Sequence, residues 1–218
     1  MRATVLVCCL VIAAGCGSSD PKSSSILRFE RAKGTSSAFV LGDRSSRVPP
    51  KRIYEVFSRP QQGLDLVEAI SARLRTSCKR EAEEDEESPG SLGDASPATG
   101  RVLLDDVGAR PYDLVAMTTA HGGVAFSLEP KGSATCARPT SDGLVFAAQL
   151  DPRDAIVFGL VGDDVTSVDL VIDGETRQAR LGQNGFAVEI PSPVGKTLQK
   201  IVLHHADGST TEFPATRG

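Results

Sequence analysis

Histidines and paired aspartates are the side chains of this sequence best suited to chemistry. The histidines are His121, His204 and His205, and the aspartate pairs are Asp105-Asp106 and Asp163-Asp164. Two carboxylates can hydrolyse a glycoside when their separation suits the reaction. The second pair, however, falls where a turn is expected, and aspartate is common in turns. The sequence therefore predicts no catalytic residue, and it favours a protein that is not an enzyme.

The histidines give no metal or cofactor motif. His121 lies in Ala120–Gly123 (AHGG), which resembles the His-Gly-Gly element of esterase oxyanion holes. That fold also needs Gly-x-Ser-x-Gly, which the sequence lacks, so a hairpin turn is predicted instead. His204 and His205 are neighbours on a predicted strand and should point to opposite faces. The pair cannot then ligate one ion, and neither a metal nor a cofactor is predicted.

A run of six acids lies within Glu81–Glu87. Carboxylates are calcium ligands, but this run lacks the alternate acids and central glycine of an EF-hand loop. Charge repulsion and the scarcity of apolar residues predict an exposed, disordered loop over residues 81–100.

Cys16 follows a short apolar segment at the start of the chain. Arg2 precedes Ala3–Ala14, which at about a dozen residues is shorter than the ~20 needed to span a bilayer. This pattern is typical of a secretory signal peptide, predicted over residues 1–15. Ala-Ala-Gly-Cys resembles a bacterial lipobox, which implies that Cys16 is lipidated and that residues 16–25 form a flexible tether. Plain secretion and a retained membrane anchor are the alternatives.

Cys78 and Cys136 are the remaining cysteines once Cys8, Cys9 and Cys16 are assigned to the leader and the anchor. A single pair in an exported chain predicts a disulfide. The alternative is a two-thiol metal site, which no nearby Cys/His spacing supports.

Charge is distributed unevenly along the chain. Residues 22–80 carry thirteen Lys/Arg and five Asp/Glu, whereas residues 81–218 carry ten and twenty-two. The basic segment, residues 26–80, would lie next to the anchor, where it could touch anionic headgroups or could simply be solvated. An acidic exported chain without a basic motif is not expected to bind nucleic acid.

The sequence predicts a mostly β protein with a minor helix. Leu64, Val67, Ile70 and Leu74 form one apolar stripe, which predicts an amphipathic helix over about residues 64–77. Residues 101–218 contain many short apolar–polar alternations, which predict a small Ig-like β-sandwich in the C-terminal half. Residues 96–107 could instead form a short helix before the strands. Asp173-Gly174, Asn184-Gly185 and Asp207-Gly208 predict hairpin turns.

Two stretches, Val56–Asp65 (VFSRPQQGLD) and Val157–Gly174 followed by Asn184–Phe186, resemble a family of uncharacterised exported proteins of high-GC Gram-positive bacteria. The shared pattern is Phe-x-Arg-Pro-Gln and, later, Gly-Leu-Val-x-Asp-x-Val before an Asp-Gly turn and an Asn-x-Phe strand. The resemblance implies export but no activity and no site residue.

These observations together predict a protein lipid-anchored to the outer face of a bacterial cell membrane. Its expected role is that of a non-catalytic binding or accessory module for an envelope protein or a wall glycan. The alternatives are an extracellular hydrolase acting on cell-wall or secreted material and a membrane-proximal regulatory or sensor protein.

Overall fold

The structure is a computed structural model that describes residues 27–28, 36–41, 50, 54–59, 70, 74, 78, 92–109, 111–130, 133–150, 152–191 and 198–216. Most of these residues are in β-strands, which confirms the mostly β prediction. Ile70, Leu74 and Cys78 are helical and buried, at the four-residue spacing that one helix face requires. The other residues of the predicted helix lie outside the described residues.

Fourteen strands lie within the described ranges. They are β1 (Leu27–Arg28), β2 (Ser36–Val40), β3 (Arg101–Val107), β4 (Tyr112–Thr118), β5 (Val124–Glu129), β6 (Ser133–Ala137), β7 (Leu144–Gln149), β8 (Asp154–Leu160), β9 (Val165–Ile172), β10 (Glu175–Gln178), β11 (Arg180–Gly182), β12 (Gly185–Pro191), β13 (Leu198–His205) and β14 (Thr210–Thr216). Two short 3₁₀ helices cover Glu55–Ser58 and Pro97–Thr99.

The described strands form three sheets. The outer sheet has the order β1-β14-β13-β9-β10, the middle sheet β11-β12-β8-β7-β2, and the disulfide sheet β3-β4-β5-β6. All pairings are antiparallel except the short parallel pairing of β1 with β14. The sandwich prediction is confirmed, and the structure adds a third layer to the two of an Ig-like sandwich.

The central strands of the middle sheet, β7 and β8, are buried on both faces. Ile156 and Phe158 on β8 belong to a core shared with the disulfide sheet, whereas Ala155 and Val157 belong to a second core shared with the outer sheet. Strands buried on both faces read as continuous apolar runs rather than as alternations. The sequences LVFAA in β7 and AIVFGL in β8 follow that rule.

Three aromatic rings fill the core between the middle and disulfide sheets. Phe126 lies 5.0 Å from Phe146 and 6.3 Å from Phe158, centroid to centroid, and Phe146 lies 5.9 Å from Phe158. Aromatic pairs at such distances add about 0.5–1.5 kcal/mol beyond the area that they bury.

The basic segment contributes strands that the sequence did not predict. β1 pairs with β14 in the outer sheet, and β2 pairs with β7 in the middle sheet. The alternative of a short helix over residues 96–107 is wrong for Arg101–Val107, which is strand β3, whereas Pro97–Thr99 in the same range is a short 3₁₀ helix. Arg101 is buried at the start of that strand, where its guanidinium donates hydrogen bonds to the carbonyls of Val56 and Arg59. Those bonds hold residues 54–59 against the sheet.

The three predicted hairpins are present. Asp173 and Gly174 have φ of 50° and 85°, as a type I′ turn requires. In the β11–β12 hairpin the positive-φ residues are Gln183 and Asn184, one position earlier than the Asn-Gly signal predicted. Gly185 serves another need, since a Cβ there would lie 2.6 Å from the Cβ of Leu103.

Burial on both faces predicts that two consecutive residues of β8 are both sensitive to truncation. We expect Val157→Ala to lower the free energy of unfolding by about 2 kcal/mol and Phe158→Ala to lower it by about 3–5 kcal/mol, because each opens a cavity in a different core. Urea unfolding followed by circular dichroism measures both losses.

Leu170 and Val171, neighbours on β9 of the outer sheet, are the matched control. Leu170 is buried and Val171 is half-buried, so Leu170→Ala should be costly and Val171→Ala should cost less than about 1 kcal/mol. A tolerated substitution at either Val157 or Phe158 would contradict the three-layer arrangement.

Candidate functional site

The disulfide joins the helical segment to the disulfide sheet. Cys78 is bonded to Cys136 of β6, with 5.3 Å between their Cα atoms. Both cysteines are buried in a third core, where Ile70 and Leu74 pack against Met117 and its neighbours. Ile70, Leu74 and Cys78 thus pack on the face of the disulfide sheet opposite the middle sheet. Cys16, the predicted lipidation site, and the acidic run Glu81–Glu87 lie outside the described residues.

His121 lies in a turn, as predicted. It is part of the β4–β5 connection, which the Thr119 N–H closes by donating to the Gly123 carbonyl. The His121 N–H donates to the Leu92 carbonyl. Gly122 has a φ of 81°, and a Cβ at Gly123 would lie 2.8 Å from Thr119 Oγ1, so the shape of the turn accounts for both glycines of AHGG.

The first aspartate pair, Asp105-Asp106, forms a structural contact between two sheets. Asp105 accepts from Arg180 of β11 at 2.8 Å, and Arg180 also donates to the carbonyls of Asp105 and Asp106. Both partners of the ion pair are at least half exposed, so the pair contributes little stability. It ties the end of β3 to the edge of the middle sheet.

The second pair, Asp163-Asp164, lies in the β8–β9 loop and reaches three elements. The Asp163 carboxylate accepts from the N–H of Glu55 at 3.0 Å and from the side-chain amide of Asn184 at 2.8 Å. The first contact caps the 3₁₀ helix Glu55–Ser58 from another part of the chain, and the second holds the β11–β12 turn. The Asp164 carbonyl accepts from the N–H of Ala206, just after β13.

Asp164 also makes the contact that brings catalytic side-chain types together. Its Oδ2 lies 2.8 Å from Nδ1 of His205, and Nε2 of His205 lies 2.9 Å from Oγ1 of Thr211. We name this chain of three side chains the relay. It has the order carboxylate, imidazole, hydroxyl that acyl-transfer enzymes use.

His204 forms a separate pair with Asp169 of β9. Its Nε2 lies 2.8 Å from Asp169 Oδ2, so the two adjacent histidines contact different carboxylates. The register of β13 against β9 shifts between His204 and His205. This pair resembles half of the relay, and among the described residues no hydrogen bond joins the His204 imidazole to a hydroxyl.

Two further aspartates surround His205. Burial raises the pKa of Asp142, although the Ser141 hydroxyl and the charge of His205 oppose the shift. Hydrogen bonds from Ser209 lower the pKa of Asp207, and His205 again contributes. Behind them, burial raises the pKa of Tyr54 far above its ordinary range, and the charges of Asp142 and Asp163 add to the effect.

Within the described residues, no cluster of three or more His, Cys, Asp or Glu could hold a metal ion. In the same part of the chain, no helix is long and apolar enough to cross a bilayer.

No protein-family model, curated protein or solved structure matches the chain. The family resemblance noted in the sequence therefore stays a prediction.

Removal of the disulfide gives the first prediction from this region. Cys78 and Cys136 are 58 residues apart, and the chain-entropy account of such a loop gives about 4 kcal/mol. We expect the double variant Cys78→Ala/Cys136→Ala to lose stability on that scale in urea unfolding. Dithiothreitol should destabilise the wild type by a similar amount and leave the double variant unchanged. Equal midpoints for reduced and oxidised wild type would contradict the prediction.

The aspartates near His205 give a pH-dependent prediction. Because the folded-state pKa of Asp142 is raised above 3.8, the wild type loses stability as the pH rises from 3.8 through the folded pKa. Asp142→Asn removes that loss, so the variant should be more stable than the wild type at pH 7 and equally stable at pH 3. Urea unfolding at both pH values measures the difference.

Asp207→Asn is the control of opposite sign. The pKa of Asp207 is lowered, so its carboxylate stabilises the fold above pH 3.8 and that stabilisation is lost as the pH falls. The variant should therefore be less stable than the wild type at pH 7. If Asp142→Asn and Asp207→Asn shift stability in the same direction at pH 7, the electrostatic assignment is wrong.

Proposed function

We propose that this chain is an exported bacterial lipoprotein, anchored to the outer face of the cell membrane, whose β-sandwich binds an envelope partner as an accessory module. The observation that carries the proposal is the apolar segment Ala3–Ala14, which ends in Ala13-Ala14 and runs directly into Gly15 and Cys16, the residue to be acylated. A single acyl group of myristoyl size binds a protein to a membrane only marginally, whereas two or more acyl groups hold it there stably.

The disulfide supports the exported location. Disulfides persist in oxidising compartments and are rare in the reducing cytosol. The bond between Cys78 and Cys136 fixes the helical segment to the sheet, and it would be lost in a reduced cytoplasm. Export is also what the resemblance to uncharacterised exported proteins implies.

A binding role fits the distribution of polar contacts on the sandwich. At one end of the three-layer sandwich, hydrogen bonds of Asp163, Asp164 and Asn184 join the loops to one another. Such ties hold an exposed end of a sandwich rigid, and a rigid surface loses less entropy when a partner binds. The partner class is an envelope protein or a wall glycan.

Membrane fractionation tests the anchor. A tagged full-length chain expressed in a bacterium that processes lipoproteins should sediment with the membrane and carry acyl mass on Cys16. Cys16→Ser should move to the soluble or secreted fraction because it cannot be acylated. Cys8→Ser and Cys9→Ser are matched controls and should remain with the membrane, since both residues lie in the predicted leader.

Crosslinking in the same cells tests the accessory role. One protein recovered in stoichiometric amount with the wild type, and lost with Cys16→Ser, supports an anchored accessory module. Recovery of wall glycan instead identifies the other partner class. A Cys16→Ser chain that sediments with the membrane as fully as the wild type would reject the lipoprotein assignment.

A further inference from the structure

We propose that the relay is a functional acyl-transfer site, in which Thr211 is the nucleophile, His205 the general base and Asp164 the residue that orients the base. The activity would be hydrolysis of small neutral or cationic esters. It does not depend on the lipid anchor or on the partner proposed above.

The first observation that supports the relay is which ring nitrogen of His205 contacts which partner. A carboxylate accepts hydrogen bonds, so the contact with Asp164 favours the imidazole tautomer whose proton is on Nδ1. Nε2 is then left with a lone pair, 2.9 Å from the hydroxyl oxygen of Thr211. That is the tautomer and the distance at which an imidazole can take a hydroxyl proton. A merely structural His–Asp pair does not need a hydroxyl on the second nitrogen.

The pair formed by His204 and Asp169 shows this difference within the same strand. There the carboxylate contacts Nε2 rather than Nδ1. Each histidine therefore contacts a carboxylate of its own, but His204 does so through the opposite ring nitrogen from His205.

Three separate elements hold the relay in place. Asp164 comes from the β8–β9 loop, His205 from the end of β13, and Thr211 from β14, where it pairs with Leu203. The backbone of the loop is fixed independently, because the Asp164 carbonyl accepts from the Ala206 N–H at 2.8 Å. The geometry is thus set before any substrate arrives, which lowers the entropic part of the barrier.

The relay is sheltered and still open to solvent. The side chain of His205 is 17% exposed, whereas that of Asp164 is 68% exposed. Thr211 is half-buried. A small ester must reach the Thr211 hydroxyl, which lies on the Nε2 side of the imidazole, while the histidine is partly shielded from water.

Nearby charge selects the substrate. Asp164 lies 2.8 Å from His205, and Asp142 and Asp207 both interact electrostatically with the same histidine. The same three carboxylates repel anions. Neutral and cationic esters are consequently preferred over carboxylate- or phosphate-bearing ones.

The proposed reaction consumes only the ester and water, and the proton moves between Thr211, His205 and the leaving groups. Oγ1 of Thr211 bonds to the ester carbonyl carbon while its proton moves to Nε2 of His205. The tetrahedral intermediate then releases the alcohol, whose oxygen takes that proton. Water attacks the acyl-threonine, gives its proton to Nε2, and the acid leaves as Thr211 regains the proton. Asp164 stays ionised throughout.

Ester hydrolysis by the purified full chain tests the proposal, with p-nitrophenyl acetate as the probe. We expect a rate about 10²-fold above buffer, the lower end of what a positioned general base contributes. Thr211→Val, which keeps the side-chain shape, should fall to background, and Thr211→Ser should restore turnover. His205→Gln should also fall to background, and Asp164→Asn should lower the rate because an amide favours the wrong tautomer.

His204→Gln and Asp169→Asn are the matched controls. Any exposed imidazole gives weak ester hydrolysis, and these two variants show how much of the rate comes from that source. Both should keep the wild-type rate. A fluorophosphonate supplies a second readout, since displacement of fluoride by Thr211 Oγ1 leaves a mass adduct on that residue in the wild type and none in Thr211→Val. This readout remains valid if His205→Gln unfolds.

Three outcomes would overturn the proposal. They are an unchanged rate in Thr211→Val, equal losses in His204→Gln and His205→Gln, and the absence of any adduct on Thr211 in the folded wild type. The Thr211→Ser variant separates chemistry from packing, because it keeps the hydroxyl and removes only a methyl group.

Discussion

Burial of β7 and β8 on both faces determines where polar side chains can lie in this protein. These two strands expose almost no side chain, so they offer no surface on which a polar site could be built. In the middle of the sandwich, polar side chains therefore lie where these strands end, in the loops that connect one layer to the next. The β8–β9 loop is such a connection, because β8 belongs to the middle sheet and β9 to the outer sheet.

That loop is held by side chains rather than by regular structure. Asp163 ties it to the 3₁₀ helix Glu55–Ser58 and to the β11–β12 turn, while Asp164 ties it to His205. Each contact crosses a boundary between elements that the chain places far apart in sequence. The same contacts that join the layers also bring a carboxylate, an imidazole and a hydroxyl within hydrogen-bond distance. The loop that is held rigid is therefore also the place where these three side chains could react together.

Much of the fold could be predicted from local patterns. Alternation indicated half-buried strands such as β9, Asp-Gly pairs indicated the turns, and the helical stripe that includes Ile70 and Leu74 indicated the packed helix. The third layer could not be predicted in the same way. A continuous apolar run indicates burial on two faces but does not say what covers each face, and β1 and β2 come from a segment whose Arg, Ser and Gly content hides two strands.

The relay was beyond prediction for a related reason. His205 and Asp164 are 41 positions apart, and Asp164 in Gly-Asp-Asp has the composition of an ordinary turn. Alternation correctly separated His204 from His205 but could not assign a partner to either. The partners depend on the register of β13 against β9, which shifts by a bulge at this point. A bulge re-aims the side chains next to it. The irregularity that periodicity cannot show thus lies at the position where the two histidines contact different carboxylates and where the His205 imidazole meets the Thr211 hydroxyl.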